Sequence, residues 1–261
     1  MYQDVNELID FYDTPSGIMV RRLVGREIRA RWPSLAGQSL AGIGYPVPYL
    51  GSFREEAERV VALMPAGQGV RRWPKATKNL TALVEEDQLP LPDGSVDRIL
   101  AIHALEMTGD VRHVLRELWR VLSPEGRLLI VAANRRGLWA QRESTPFGHG
   151  RPYSRGQLER LLDSAMLSVE SIGHALAVPP LHVRALQRAA MPIERIGLTL
   201  WPAFAGLVVV EASKRMMGGL AVPVRGRRMR LRALAPQTAQ RVEQLRHQPG
   251  QTSRRRFTRS G

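Results

Sequence analysis

Residues 96–133 narrow the options for this chain more than any other stretch. Val96–His103 (VDRILAIH) is a nearly continuous apolar run, of the kind that sits in a parallel sheet covered on both faces. Val111–Leu122 follows with apolar residues at Val111, Val114, Leu115, Leu118, Val121 and Leu122, the spacing of one helix face. Ser123-Pro124-Glu125-Gly126 reads as a turn, and Arg127–Ala133 (RLLIVAA) as a second buried strand. Strand, helix, turn and strand at this spacing predict a βαβ unit with a right-handed crossover. The fold class is therefore α/β, a Rossmann-like sheet with helices on both faces.

The flanking sequence extends that pattern. Asp4–Arg31 reads as helical with a break near Thr14-Pro15-Ser16-Gly17, and Pro33 ends the second helix. Ser39–Ile43, Val60–Met64 and Leu80–Val84 are short apolar runs expected as strands, and Glu55–Glu58 is helical in composition. Ser154 is placed to cap a helix over Ser154–Ala165. Val169–His174 reads as an outer strand, Arg184–Ile196 as a helix and Leu207–Ala212 (LVVVEA) as a last strand. Three regions result: N-terminal helices over 1–38, the α/β domain over 39–218, and a basic, partly disordered tail over 219–261 with a helix near Thr238–His247.

Charge supports that division. The chain carries a formal net +14, yet from Ser213 onward there are 13 Lys and Arg against the single acid Glu243. The remainder is nearly neutral. A polybasic end, with arginines from Arg225 to Arg259, suits nucleic acid or an anionic surface. The absence of cysteine excludes disulfides, thiolate metal sites and thiol nucleophiles. Met1–Ile18 has no apolar core for a secretory signal, and the apolar stretch Leu198–Ala212 is too short for a membrane span. A cytoplasmic location is the expectation. The six histidines are scattered without metal-ligand spacing, so no metal is expected. No GxSxG hydrolase elbow and no GxGxxG dinucleotide loop occur.

The segment Leu89-Pro90-Leu91-Pro92-Asp93-Gly94-Ser95-Val96-Asp97-Arg98-Ile99-Leu100 resembles the third signature of class I S-adenosylmethionine-dependent methyltransferases, usually LPFPDGSFDxVL. Leu122-Ser123-Pro124-Glu125-Gly126-Arg127-Leu128 resembles their LKPGGxL turn before strand 5. The resemblance is to the type 11 group. It implies a seven-stranded sheet, S-adenosylmethionine as cofactor, and a pocket at the carboxyl ends of the strands where strand order reverses. Family members carry an acid and a GxGxG loop after strand 1. Here the matching run is Gly42-Ile43-Gly44-Tyr45-Pro46-Val47-Pro48, in which Gly44 alone survives and proline replaces later glycines, removing backbone donors. The end of strand 2, Met64-Pro65, lacks the ribose-binding acid. By resemblance, Gly44, Tyr45, Met64, Glu85 and Asp87 line the cofactor site, with Glu85 at the adenine position.

His103, at the predicted end of strand 4, and Glu106, three residues on, are the candidate catalytic pair for deprotonating an acceptor. Asn134 follows strand 5 into the same crevice. The loop Thr145–Ser154 is glycine-rich, aromatic and basic, as suits a substrate lid, and His149, Arg151 and Tyr153 are its candidate acceptor contacts. The sequence thus supports a methyltransferase of unknown acceptor. Its alternative is a catalytically inactive methyltransferase-fold protein binding RNA or a protein partner, suggested by the degenerate loop.

Overall fold

The apolar runs become strands β1 (Ser39–Gly44), β2 (Arg59–Pro65), β3 (Thr81–Val84), β4 (Val96–Ile102), β5 (Leu122–Ala133), β6 (Leu167–Ala175) and β7 (Leu207–Lys214). They form one sheet in the order β3-β2-β1-β4-β5-β7-β6. The first five in that order run parallel, and β7 lies antiparallel between β5 and β6. This is a computed structural model, and it describes residues 2–180 and 189–215, which belong to the compact unit Met1–Met217. The expected tail 219–261, its Arg225–Arg259 cations and its helix near Thr238–His247 lie outside the described residues.

The helices are α1 (Val5–Asp13), α2 (Pro15–Arg31), α3 (Val47–Leu50), α4 (Val111–Val121), α5 (Arg155–Ser164) and α6 (Ala190–Leu200). Local chemistry sets their ends. The Asp4 carboxylate accepts from the Asn6 N–H at 2.7 Å to start α1, and Thr14 caps α2 through the Gly17 N–H at 3.0 Å, with Pro15 as its first residue. Gly17 is required there: a Cβ would stand 2.1 Å from the Phe11 carbonyl oxygen. Ser154 and Gln157 form a capping box on α5.

Alternation along the strands divides the core between the two faces. Leu100, Leu129 and Val209 face α1 and α2, which contribute Leu8, Tyr12, Val20, Val24 and Ile28. Ile99, Ile130 and Val210 face α4 and α5, which contribute Val114, Leu115, Leu118, Leu158 and Leu162.

The signature-like residues Leu89–Asp97 act as framework. The Arg120 guanidinium donates to the carbonyls of Leu91 at 2.9 Å and Leu89 at 3.1 Å, while pairing with Glu117 and Asp93. Glu117 in turn accepts the Leu89 N–H at 2.7 Å. Asp97 accepts from the Ser39 N–H at 2.9 Å and hydroxyl at 2.8 Å, and from the Ser123 hydroxyl at 3.2 Å. One carboxylate therefore ties the starts of β1, β4 and β5 together.

Two local expectations change. Glu55–Glu58 is not helical. Its chain turns instead, with the Ala57 N–H on the Phe53 carbonyl and the Glu58 N–H on the Gln38 carbonyl. In the loop after β1, Pro46 precedes the one-turn helix α3 and Pro48 lies in its first turn, where proline's fixed φ is accommodated. Ser123–Gly126 lies inside β5 as a register shift, since Val96 pairs Leu122 while Arg98 pairs Arg127. The helix expected over Arg184–Ile196 is observed as α6 from Ala190, its earlier part lying outside the described residues.

Leu118 is fully buried between α4 and the sheet. Leu118→Ala should cost about 2–5 kcal/mol in urea unfolding, the range for a buried leucine that leaves a cavity; a loss near zero would mean that α4 does not pack there.

Candidate active site

In an open sheet, ligands bind beyond the carboxyl ends of the strands where the order reverses. Here that point lies between β1 and β4. β1 ends at Gly44, whose φ is +83°, and a Cβ there would lie 2.3 Å from the Ile102 carbonyl oxygen of β4. Only glycine fits such a turn. The next N–H, on Tyr45, donates to that same Ile102 oxygen at 2.8 Å.

Helix α1 roofs this crevice. The Tyr2 hydroxyl donates to Glu86, in the loop after β3, and the Tyr2 ring lies where a Cβ on Gly67 would reach it. The Val5 N–H donates to the Gln68 carbonyl at 2.9 Å, and the Gln68 amide donates to the Gly44 carbonyl at 3.1 Å. Tyr12 projects deepest: its hydroxyl sits 2.9 Å from His103 Nε2 and 3.1 Å from the Tyr49 hydroxyl. The Phe147 ring packs on the His103 ring in a tilted arrangement, with centroids 4.7 Å apart.

The expected catalytic pair is therefore enclosed. His103 is 2% exposed and adopts φ +52°. Burial pushes its pKa down to about 3, so the imidazole is neutral. Glu106 is 4% exposed, and burial pushes it up to about 7, only partly offset by the Ala133 N–H on Oε1 at 2.7 Å. Its Oε2 is buried with no hydrogen-bond partner among the described residues. His103 bonds to Tyr12, whereas Glu106 bonds across to the end of β5.

The other candidates separate. Tyr45 and Met64 line a cavity of about 450 Å³ beside the ends of β1 and β2. Burial, followed by the Asp13 charge, raises Tyr45 to about 12, with Arg71 opposing. Glu85 and Asp87 are exposed, and it is Glu86 that turns inward. Asn134 is buried and serves the backbone: its amide donates to the carbonyls of Ala203 at 3.0 Å and Ala205 at 2.7 Å, and its oxygen accepts the Arg136 N–H at 3.2 Å. Tyr153 donates to the Leu105 carbonyl at 2.9 Å. Arg151 is exposed, its N–H on the Glu106 carbonyl at 2.9 Å. His149 borders a cavity of about 460 Å³ that also takes in Phe11, Trp139 and Thr145. Asp10 of α1 borders both cavities, so α1 stands between them.

Residues 40–130, which span β1 to β5, match the family model described as a methyltransferase domain. A Mycolicibacterium smegmatis protein named a probable S-adenosylmethionine-dependent methyltransferase is 35% identical over 85 residues, which are 32% of this chain and 33% of that protein. The chain thus spans about a third of the length of the curated relative it matches. Solved methyltransferase structures share the fold at low identity. The Haloferax volcanii candidate methyltransferase in complex with the Trm112 activator matches at 18% identity, with a TM-score of 0.58 over 83% of this chain and all of that one. A Thermotoga maritima SAM-dependent methyltransferase matches at 17% and 0.53, over 81% of this chain and 96% of that one. Streptomyces coelicolor geranyl diphosphate C-methyltransferase, solved with S-adenosyl-L-homocysteine, matches at 18% and 0.52, over 72% and 76%. The mixed seven-stranded sheet is that of the Rossmann-like class I methyltransferase fold.

Sequence reasoning missed Tyr2, Tyr12, Gln68 and Glu86 of this crevice. Tyr12 and His103 are 91 positions apart, and no motif joins them.

Because Glu106 is protonated more readily in the folded chain than in the unfolded one, its contribution to stability is fully present below about pH 4.5 and is lost as pH rises to about 7. Glu106→Gln should abolish that loss. Wild type should fall relative to the variant by about 3 kcal/mol across this window in denaturant titrations; parallel curves would mean that Glu106 ionises normally.

Proposed function

We propose that the chain is an S-adenosylmethionine-dependent methyltransferase whose α1 roof must shift for the cofactor and acceptor to meet. The observation that carries this is the strand-order reversal at Gly44, within the segment that matches methyltransferase domains. When bound, the cofactor supplies the electrophilic methyl group. Two features suit it: the Cβ-free turn at Gly44, and the unpartnered buried Oε2 of Glu106. The end of β2, Met64-Pro65, offers no carboxylate for ribose, and Glu86 is the inward-turned acid of the adjacent loop after β3. Gly44, Tyr45, Met64 and Glu86 would hold the cofactor, with Tyr2 occupying part of its place in the closed arrangement.

Of the catalytic candidates, Glu106 is the better base. A group titrating near 7 both holds and releases a proton at neutral pH, whereas His103 near 3 scarcely accepts one. His103 acts with Tyr12 as a latch on α1. The cavity beside His149 and Phe11 receives the acceptor, whose identity is open. Direct displacement requires the two reactants within about 3–3.5 Å, and α1 now separates their cavities.

Calorimetric titration with S-adenosylmethionine and S-adenosylhomocysteine tests this. Micromolar binding is expected. Tyr2→Phe, which frees Glu86 while keeping the ring, should tighten it severalfold, because apparent affinity scales with the competent fraction. Glu86→Ala should weaken it, and Glu85→Ala should leave it unchanged. No binding to either wild type or Tyr2→Phe would return the chain to the inactive-fold reading.

A further inference from the structure

A helix lying on the surface of a soluble domain buries one apolar stripe and turns charge to solvent. Helix α6 departs from that pattern. Its inner side is filled: Ala190 and Gly197 are buried, Ile193 packs on the core, and a Cβ on Gly197 would stand 2.6 Å from the Ala177 Cβ. The Glu194 carboxylate also turns inward, accepting the Leu176 N–H at 2.7 Å and the Val178 N–H at 3.1 Å. The outer side is nevertheless apolar. Met191, Ile196 and Leu200 of α6, with Trp201 and Phe204 in the turn that leads to β7, are between 42% and 63% exposed. Exposed Leu138 comes from the adjoining loop, where the Asn134 amide holds the Ala203 and Ala205 carbonyls and a Cβ on Gly137 would meet Ala205.

The charge around these side chains has one sign. Arg195 lies on the outer side of α6, Arg26 of α2 reaches the Met191 sulfur at 4.0 Å, and Arg135 and Arg136 follow Asn134. All four are exposed, and among the described residues none of them is in an ion pair. Residues 189–206 contain a single acid, the inward Glu194. Glu27 of α2, beside α6, is half-buried and paired with Arg31. That arrangement selects the occupant. The segment from Ser213 onward, with 13 Lys and Arg against Glu243, carries the same sign and is no complement to it. A second copy docked by two-fold symmetry would bring like patch to like patch, arginines included. An acidic protein face would match the arginines but set carboxylates against Leu200, Trp201 and Phe204. An anionic bilayer meets both demands: headgroup phosphates take the arginines, and the acyl boundary takes the Trp, Phe and Leu side chains. No helix among the described residues is long and apolar enough to cross a membrane, so the contact is with the surface of one leaflet.

We propose that the outer side of α6 and the Trp201–Phe204 turn dock on an anionic lipid surface. The docking is independent of whether methyl transfer occurs. The test is flotation of the full chain with phosphatidylglycerol vesicles, read together with tryptophan fluorescence. Leu200→Ser with Phe204→Ser should lower vesicle affinity at least about tenfold, since two large apolar side chains no longer leave water. Arg136→Gln with Arg195→Gln should lower it about tenfold. Val70→Ser with Leu83→Ser, exposed near the opposite sheet edge at β3, should change it by less than about twofold. Adding vesicles should shift tryptophan emission to shorter wavelength, and Trp201→Phe should abolish the shift. The other four tryptophans are more buried, and the segment from Ser213 onward has none. Circular dichroism confirms that each variant is folded. Undiminished binding in the Leu200 and Phe204 variant, or an undiminished shift in Trp201→Phe, would overturn the proposal, because the basic C-terminal segment would then account for binding. Equal losses in the Val70 and Leu83 control would overturn it as well. Equal affinity for phosphatidylcholine vesicles would overturn the anionic assignment. Absence of vesicle binding would overturn it outright, and capture of polyglutamate through Arg136 and Arg195 would then give the face to an acidic protein. Both readouts need no cofactor, so their failure is distinguishable from failure of the cofactor titration.

Discussion

A tyrosine hydroxyl buried beneath a helix must find partners or the helix does not stay. An unpaired buried polar group costs about 1–3 kcal/mol, and Tyr12 avoids that cost by bonding His103 Nε2 and the Tyr49 hydroxyl at once. Those partners come from the end of β4 and from α3, so one hydroxyl fastens the N-terminal helix to two elements around the strand-order reversal. The consequences spread outward. His103 loses solvent and becomes neutral, Glu106 is sealed and titrates high, and the crevice divides into a cavity on each side of α1. The aromatic cluster of partly buried Phe11 with buried Tyr12, Tyr45, Tyr49, His103 and Phe147 is the packing around that knot.

The knot also decides which sequence features do chemistry. The run from Leu89 to Asp97, which carries the family resemblance, is occupied by structure. Arg120 and Glu117 hold its backbone, and Asp97 joins three strand starts. A signature can identify a fold because it solves a folding problem, here the return from β3 to β4. His103 and Glu106, whose ionisation burial alters most directly, sit at the opposite ends of the strands, where nothing in the signature reaches.

That division explains what could be read from the chain alone. The strands and α4 were legible because burial on both faces writes itself as unbroken apolar runs, and an amphipathic helix as a 3.6-residue period. Gly44 was legible because a tight turn has a residue requirement. Glu55–Glu58 misled because composition favours a helix too short to nucleate. Glu86 was passed over for Glu85 because adjacent residues in a turn point different ways, and only the Tyr2 contact distinguishes them. Tyr12 was invisible for a simpler reason: a hydrogen bond across 91 residues leaves no local pattern.

Proline in the loop after β1 then takes on a different meaning. Set against a glycine-rich loop, Pro46 and Pro48 look like losses of backbone donors. In the folded chain Pro46 precedes α3 and Pro48 lies in its first turn, and α3 presents Tyr49 to Tyr12. A flexible glycine loop could not hold Tyr49 at a fixed distance from a hydroxyl 37 positions away. The substitution therefore exchanges donors that would face a ligand for a rigid support that faces a helix. A chain built this way favours the closed crevice in the absence of ligand. Its affinity for any crevice ligand is then set as much by the stability of the Tyr12 knot as by the contacts the ligand makes.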